Sequence, residues 1–214
     1  LRRASGQLAG LLRRAADSMA MFPVTYSAVE TWLSEARGVD AQIGRAAQTV
    51  GDLKEARRLN PHALTTTNAE PMLRVQLTIL ERVQLAIQAL FATILREAPI
   101  DPTVHDGFGD GIRPAFAVVL ETMADAITAF AEDVDAEVEG RAADRATTLD
   151  GNLDELRETR AIVTELMLVQ AYVDQSRWLL RGSILAAVEQ VLSQLDIRDR
   201  ERLRTTYGLP PLEG

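Results

Sequence analysis

The sequence predicts an all-α protein, built as a bundle of about five long, mostly antiparallel helices. Apolar residues recur at three- and four-residue steps over long stretches, which is the pattern of amphipathic helices. Alternating apolar and polar runs with turn signals, the pattern of β-strands, are nearly absent. Hydrophobic residues make up 47% of the 214 residues, which is enough for a core. We expect a single helical domain over residues 1–195 and a frayed tail over residues 196–214.

The first two predicted helices are separated by a proline. The first covers residues 2–21, and Pro23 ends it because proline removes a backbone donor and clashes with the preceding turn. The second covers residues 24–59, allows a break near Gly38 and stops before Pro61. The apolar face of the first helix consists of Leu8, Leu11, Leu12, Ala15, Met19 and Phe22.

The third predicted helix has the widest apolar surface. It begins at Pro71, which suits a first helical turn, and ends near Ala98, a length of roughly 40 Å at 1.5 Å per residue. Two apolar stripes imply neighbours on more than one side, so we place this helix centrally. A loop rich in Pro, Gly and Asp follows over residues 99–113.

The last two predicted helices cover residues 114–139 and 153–195. The fourth has one apolar face and one strongly acidic face. The fifth is the longest in the chain, and Gly182 is a candidate kink within it. The sequence contains no uninterrupted run of about 20 apolar residues, the length that spans a bilayer.

Composition excludes several classes of function. The chain has no cysteine, which excludes disulfide scaffolds, thiolate zinc sites and cysteine nucleophiles. Its two histidines, His62 and His105, lie in predicted loops without the neighbouring residues of a catalytic or metal motif. A net charge of −8 argues against nucleic acid as a partner. We therefore predict no enzyme activity, no metal site and no cofactor.

Two acidic segments suggest ligand binding, but a flexible helix connection is favoured for the first and a solvated helix face for the second. The loop from Asp106 to Gly111 has Phe108 where a calcium loop needs an oxygen ligand, and it lacks the Lys-Ser/Thr pair of a phosphate loop. The acids on the fourth helix lack the Glu-x-x-His pairs of a di-iron bundle, which favours a solvated face able to dock a basic partner. These acids are Glu132, Asp133, Asp135, Glu137 and Glu139.

Trp32 and Trp178 are the candidates for a ligand pocket between helices, since each has a large apolar face and one N–H donor. Packing in the core is the favoured alternative for both. Some arginines beside apolar positions could bind a ligand carboxylate, although ion pairs with helix acids are favoured. They are Arg74, Arg82, Arg160 and Arg177.

The charge of the first helix is the strongest functional signal. Residues 1–16 contain four arginines and no acid, whereas the rest of the chain is acidic. Arginine concentrated beside a membrane-spanning segment is typical of its cytoplasmic side, and a solvated helix face is the alternative. The chain also begins with a residue other than Met, so we expect it to be part of a longer membrane protein. The predicted membrane-proximal residues are Arg2, Arg3, Arg13 and Arg14.

An Arg-rich entry helix, a segment from Ala46 to His62 with an Asn-Pro step, and an apolar helix occur in this order. This order resembles the cytosolic helical domain of the fusaric-acid-resistance and aromatic-acid-exporter group of bacterial membrane proteins, over about residues 1–100. The resemblance implies an N-terminal transmembrane part and export of small aromatic or carboxylate compounds, without motif-defined catalytic residues. The apolar helix carries Leu77, Leu80, Glu81, Arg82, Ile87 and Leu90.

Two hypotheses follow from these observations. The first is a non-enzymatic cytoplasmic domain of a bacterial inner-membrane transporter-like protein, acting in assembly or gating. Its expected partners are its own transmembrane region, anionic lipid head groups near the first helix, and further copies in a homo-oligomer. The alternative is a soluble helical ligand-binding or regulatory module with an apolar pocket between helices. An enzyme is least favoured, because no nucleophile, base or metal constellation is present in the sequence.

Overall fold

The computed structural model describes residues 1–59, 69–101, 106, 108–138, 146–171 and 178–209. Within these residues the chain is helical and has no strand, so the all-α prediction is confirmed. The helices are α1 (Arg2–Met21), α2 (Tyr26–Gly38), α3 (Asp40–Leu59), α4 (Glu70–Glu97), α5 (Gly109–Val138), α6 (Ala146–Ala171), α7 (Trp178–Leu195) and α8 (Ile197–Thr206).

The helices pack around one apolar core. α1 lies along α5, which also contacts α6 and α7, whereas α4 contacts α2, α3, α7 and α8. Contacts with four other helices give α4 the central position that its two apolar stripes predict. The core joins Leu8 and Leu12 of α1 to Phe91 of α4 and Phe130 of α5, all of them fully buried.

Ion pairs fix the relative directions of neighbouring helices. Arg2 of α1 contacts Asp135 of α5, whereas Arg13 contacts Asp125, so these two helices run in opposite directions. α6 and α7 also run in opposite directions. Their ion pairs are Arg157 with Asp196, which follows α7 directly, and Arg160 with Glu189.

Two predicted helices are each divided in the structure. The predicted helix 24–59 consists of α2 and α3, which meet at Val39. The predicted helix 153–195 consists of α6 and α7, which lie side by side. The break at Val39 lies where the sequence allows one, near Gly38. α6 and α7 both face one core, so the 3.6-residue apolar pattern continues from one to the other and conceals their separation. The described residues therefore form more and shorter helices than the five predicted.

The start of α5 also differs from the prediction. The helix begins at Gly109, so Pro114 lies inside it. Phe108, directly before the helix, stacks on Phe116 with ring centroids 5.8 Å apart. This aromatic contact sits in the core and favours an earlier start than Pro114 indicates.

The predicted frayed tail is helical where the structure describes it. α8 begins after Asp196, whose Oδ1 accepts a hydrogen bond from the backbone N–H of Arg198 at 2.9 Å. Arg200 and Arg204 of α8 are only 4% and 6% exposed. Residues 197–206 form this helix because a highly charged segment can bury its guanidinium groups against carboxylates. Residues 210–214 lie outside the described residues.

Candidate functional site

The four predicted membrane-proximal arginines lie on α1, and three of them pair with acids of the bundle. Arg2 contacts Asp135, and Arg14 contacts Glu35 of α2. Arg13 donates through Nη2 to Asp125 Oδ1 at 2.7 Å and to Thr128 Oγ1 at 3.2 Å. Arg3 is exposed and makes no ion pair with any described residue. The basic helix α1 thus lies on the acidic helix α5, and each offsets part of the charge of the other.

These ion pairs leave the arginines accessible to solvent. The Arg2 side chain is 79% exposed, and those of Arg13 and Arg14 are about half exposed. An exposed ion pair contributes roughly 0–1 kcal/mol, so a stronger anionic partner can compete for the guanidinium. Arg2 and Arg3 lie at the amino end of α1, and Arg13 lies about 16 Å farther along the helix. The structure therefore places the four arginines in two groups rather than in one patch.

The acidic face of α5 is not simply solvated. Asp133 and Glu137 are mostly buried, and each forms an ion pair with an arginine of α8. The amide Nε2 of Gln76, on α4, also donates to Glu137 Oε2 at 3.0 Å. Asp135 faces the other way and contacts Arg2. Arginines from two helices therefore neutralise three of the five predicted acids, and Glu139 lies outside the described residues.

Asp106, in the predicted Gly- and Asp-rich loop, is a buried structural anchor. It is 4% exposed, and its carboxylate accepts hydrogen bonds from the backbone N–H groups of Val24 and Phe108 at 2.8 and 3.1 Å. Arg113 donates to the same carboxylate at 3.0 Å. Asp106 therefore ties the turn between α1 and α2 to the start of α5.

Trp32 packs in the core. It is 7% exposed, and its ring centroid lies 5.8 Å from that of Phe91. This is the packing that the sequence favours over a ligand pocket. The side chain of Trp178, the other candidate, lies outside what the structure describes.

A groove of about 610 Å³ lies between α4 and α7. Arg82 stands at one end, beside Gln194, with Arg82 Nη1 3.5 Å from Gln194 Oε1. Leu85, which is 59% exposed, also lines the groove. No aromatic residue contributes to its described lining. The remaining lining residues are Ala86, Ala89, Thr93, Ala186, Ala187 and Gln190.

Arg82 differs from the other arginines that the sequence selects as candidates for a carboxylate. Arg74 pairs with Glu70, and Arg160 with Glu189. Arg82 forms no ion pair with any residue that the structure describes, and within the same residues its side chain makes one long hydrogen bond, to Gln194. Arg177 lies outside the described residues.

Within the part of the chain that the structure describes, two helices are long and apolar enough, by length and composition alone, to span a membrane. They cover Glu70–Arg96 and Gly111–Val138. An average over 18 residues tolerates the single polar residues that interrupt each apolar run, which is why the sequence alone suggested no such segment. The bundle buries 56% and 61% of the two apolar windows, as it would the core helices of a soluble protein. The two helices are weakly compatible with membrane association.

The described residues contain no group of three or more His, Asp or Glu side chains placed to hold a metal ion. His62 and His105 lie outside these residues. Comparisons with protein-family models, with curated proteins and with solved structures found no match to this chain.

Proposed function

We propose that this chain is a non-enzymatic cytoplasmic domain of a bacterial inner-membrane transporter-like protein. In this proposal α1 continues from a membrane-spanning region outside the 214 residues. The observation that carries the proposal is the exposed, weakly held positive charge at the amino end of α1, on an otherwise acidic chain. The resemblance of the first half of the chain to exporter cytosolic domains supports the same assignment.

The packing of α1 supports a role in assembly or gating. α1 contacts α5 from Arg2 to Arg13, through apolar side chains and two ion pairs. A movement imposed on α1 would reach α5 as a rigid-body shift, because a close-packed core does not deform continuously. The proposed cargo is a small aromatic or carboxylate compound, as the resemblance implies.

Binding to lipid vesicles tests this proposal. We expect the chain to bind vesicles that contain phosphatidylglycerol and not vesicles of phosphatidylcholine alone. Each arginine near an anionic surface contributes about 1 kcal/mol, so Arg2→Gln/Arg3→Gln should weaken binding about 30-fold. Cosedimentation of chain and vesicles measures this change.

The matched control is Arg37→Gln/Arg96→Gln, which removes the same charge from exposed positions away from the amino end of α1. It should leave most of the binding intact. Equal losses in the two double variants, or no binding to anionic vesicles by the unmodified chain, would contradict the proposal.

The groove between α4 and α7 favours a second candidate function, a helical ligand-binding or regulatory module. Its volume of about 610 Å³ falls in the range of small-molecule sites, and Arg82 supplies a guanidinium that pairs with no acid among the described residues. Such a groove suits an apolar molecule with one carboxylate. Titration with benzoate, followed by methyl resonances of Leu85, should show binding that Arg82→Met abolishes and Arg74→Met does not.

A further inference from the structure

α8 is docked on the bundle mainly through charged side chains. Six of its ten residues are charged. Arg200 and Arg204, one helical turn apart, contact Asp133 and Glu137, which are one turn apart on α5. The result is a ladder of two parallel ionic rungs. The Arg200 guanidinium also lies over the ring of Phe130, 5.6 Å from its centroid.

Among the side chains that the structure describes, apolar ones contribute little to this docking. Leu203 of α8 and Leu209 after it pack against the core and remain partly exposed. A buried ion pair gains Coulomb energy but loses the hydration of both ions, and the two terms nearly cancel. The net free energy that holds α8 in place is therefore small compared with that of an apolar helix such as α4.

The attachment of α8 to the rest of the chain allows it to move as a unit. Asp196 is the one residue between the end of α7 and the start of α8, and its backbone is extended, with φ −59° and ψ 138°. Rotation about this residue would carry α8 away as one unit, with loss of its contacts to α4 and α7 and of its two ion pairs with α5. Departure of α8 would expose Phe130 and the carboxylates of Asp133 and Glu137 on α5.

We propose that α8 is a releasable strap, a helix that detaches from the bundle as a unit by rotation at Asp196. α1–α7 remain folded when it detaches, and the two ionic rungs set the fraction of molecules in which α8 is detached. When α8 detaches, the surface of α5 that its arginines neutralise becomes an exposed acidic surface that includes the ring of Phe130. The inference is independent of the membrane assignment, because it rests on contacts within the bundle alone.

Hydrogen exchange measured residue by residue tests the strap. In the unmodified chain the amides of α8 should exchange faster than the buried amides of α4 and α5, in one cooperative step. Arg200→Gln/Arg204→Gln removes both rungs and should speed exchange in α8 by about tenfold or more, because the closed form would then bury the carboxylates of Asp133 and Glu137 without their arginine partners. Exchange in α1–α7 should stay within about twofold, because local opening leaves them folded.

Two further variants separate the rungs from general effects of charge. Arg198→Gln/Arg202→Gln removes the same charge from exposed positions of α8 and should leave its exchange nearly unchanged. Glu137→Arg/Arg204→Glu reverses one rung and should restore part of the protection that Arg204→Glu alone removes.

Three results would overturn the inference. The first is faster hydrogen exchange in α5 and α8 together in Arg200→Gln/Arg204→Gln, which would show that α8 does not open separately from the fold. The second is equal acceleration in the control with exposed positions changed. The third is an absence of rescue by the reversed rung.

Discussion

The arginines of this chain divide into two groups by burial. Those of α1 are exposed and close together in the sequence, so a count of charges along the chain finds them. Arg200 and Arg204 are buried, and each is 67 residues away from its acidic partner. The sequence contains a signal for the second group, because Arg200 and Arg204 have the same four-residue spacing as Asp133 and Glu137. Many other pairs in the chain share that spacing, so only the folded position of α8 shows which acids the two arginines contact.

Asp106 is the residue at which a single substitution should be most costly among the polar positions discussed. Asp106→Ala removes the acceptor for two backbone N–H groups and for Arg113, all at a buried position. We expect a loss of about 3 kcal/mol in the free energy of unfolding, because buried donors then lack this partner. Urea denaturation followed by circular dichroism measures the loss.

The control for Asp106 is Asp154→Ala, which removes an acid that is 77% exposed and pairs with Arg157. The expected loss there is below about 1 kcal/mol, since exposed ion pairs contribute little. Similar losses in the two variants would show that Asp106 is not the anchor of its end of the bundle.

At the scale of helices, the sequence predicts which segments are helical better than it predicts where each helix begins and ends. Periodicity indicates helix over most of the residues that the structure describes as helix, but not over α8 or the first residues of α5 and α6. Gly38 indicates the break between α2 and α3, whereas the separation of α6 from α7 is not located, because both helices face the same core. The start of α5 is also misplaced, since Pro114 suits a first turn better than the interior position that it occupies. Tertiary contacts decide these boundaries.

Gly44 on α3 is an exposed helical position where alanine should be favourable. An added Cβ would meet nothing within 4 Å, and the backbone is helical. Gly44→Ala should therefore raise the free energy of unfolding by about 0.5–1 kcal/mol, because the unfolded chain loses conformational freedom. A shift of the urea midpoint to higher concentration, with an unchanged slope, would show this.

Gly208 lies two residues after the end of α8, and its substitution by alanine should lower stability. Its φ of 69° lies in the left-handed region, which costs residues with a Cβ about 1–2 kcal/mol. Gly208→Ala should therefore weaken the end of α8 and speed its hydrogen exchange. Slower exchange in this variant would contradict the backbone conformation described for Gly208.

The whole molecule combines one apolar core with an uneven charge distribution. The core runs from α1 through α4 and α5 to α7, so helices that are distant in sequence share a single cluster of buried side chains. The sequence predicts the core well, because apolar periodicity marks buried faces directly. The candidate site is predicted less well: the arginines are identified, but their partners, the groove and the role of α8 depend on which helices become neighbours.

Leu12 on α1 provides a test of this single core. Leu12→Ala empties a fully buried position and should cost about 2–5 kcal/mol. In a Trp178→Phe background, circular dichroism and the fluorescence of Trp32 should show the same shift of the urea midpoint, because α1 and Trp32 belong to one cluster. Separate midpoints for the two probes would show that the chain unfolds in parts.

The last turns of α5 are shared between the two terminal helices. Asp135, which contacts Arg2, lies between Asp133 and Glu137, which contact α8. The three acids span only about 6 Å along the helix axis. Any substitution that displaces this short stretch of α5 should therefore disturb the contacts of both ends of the described chain at once.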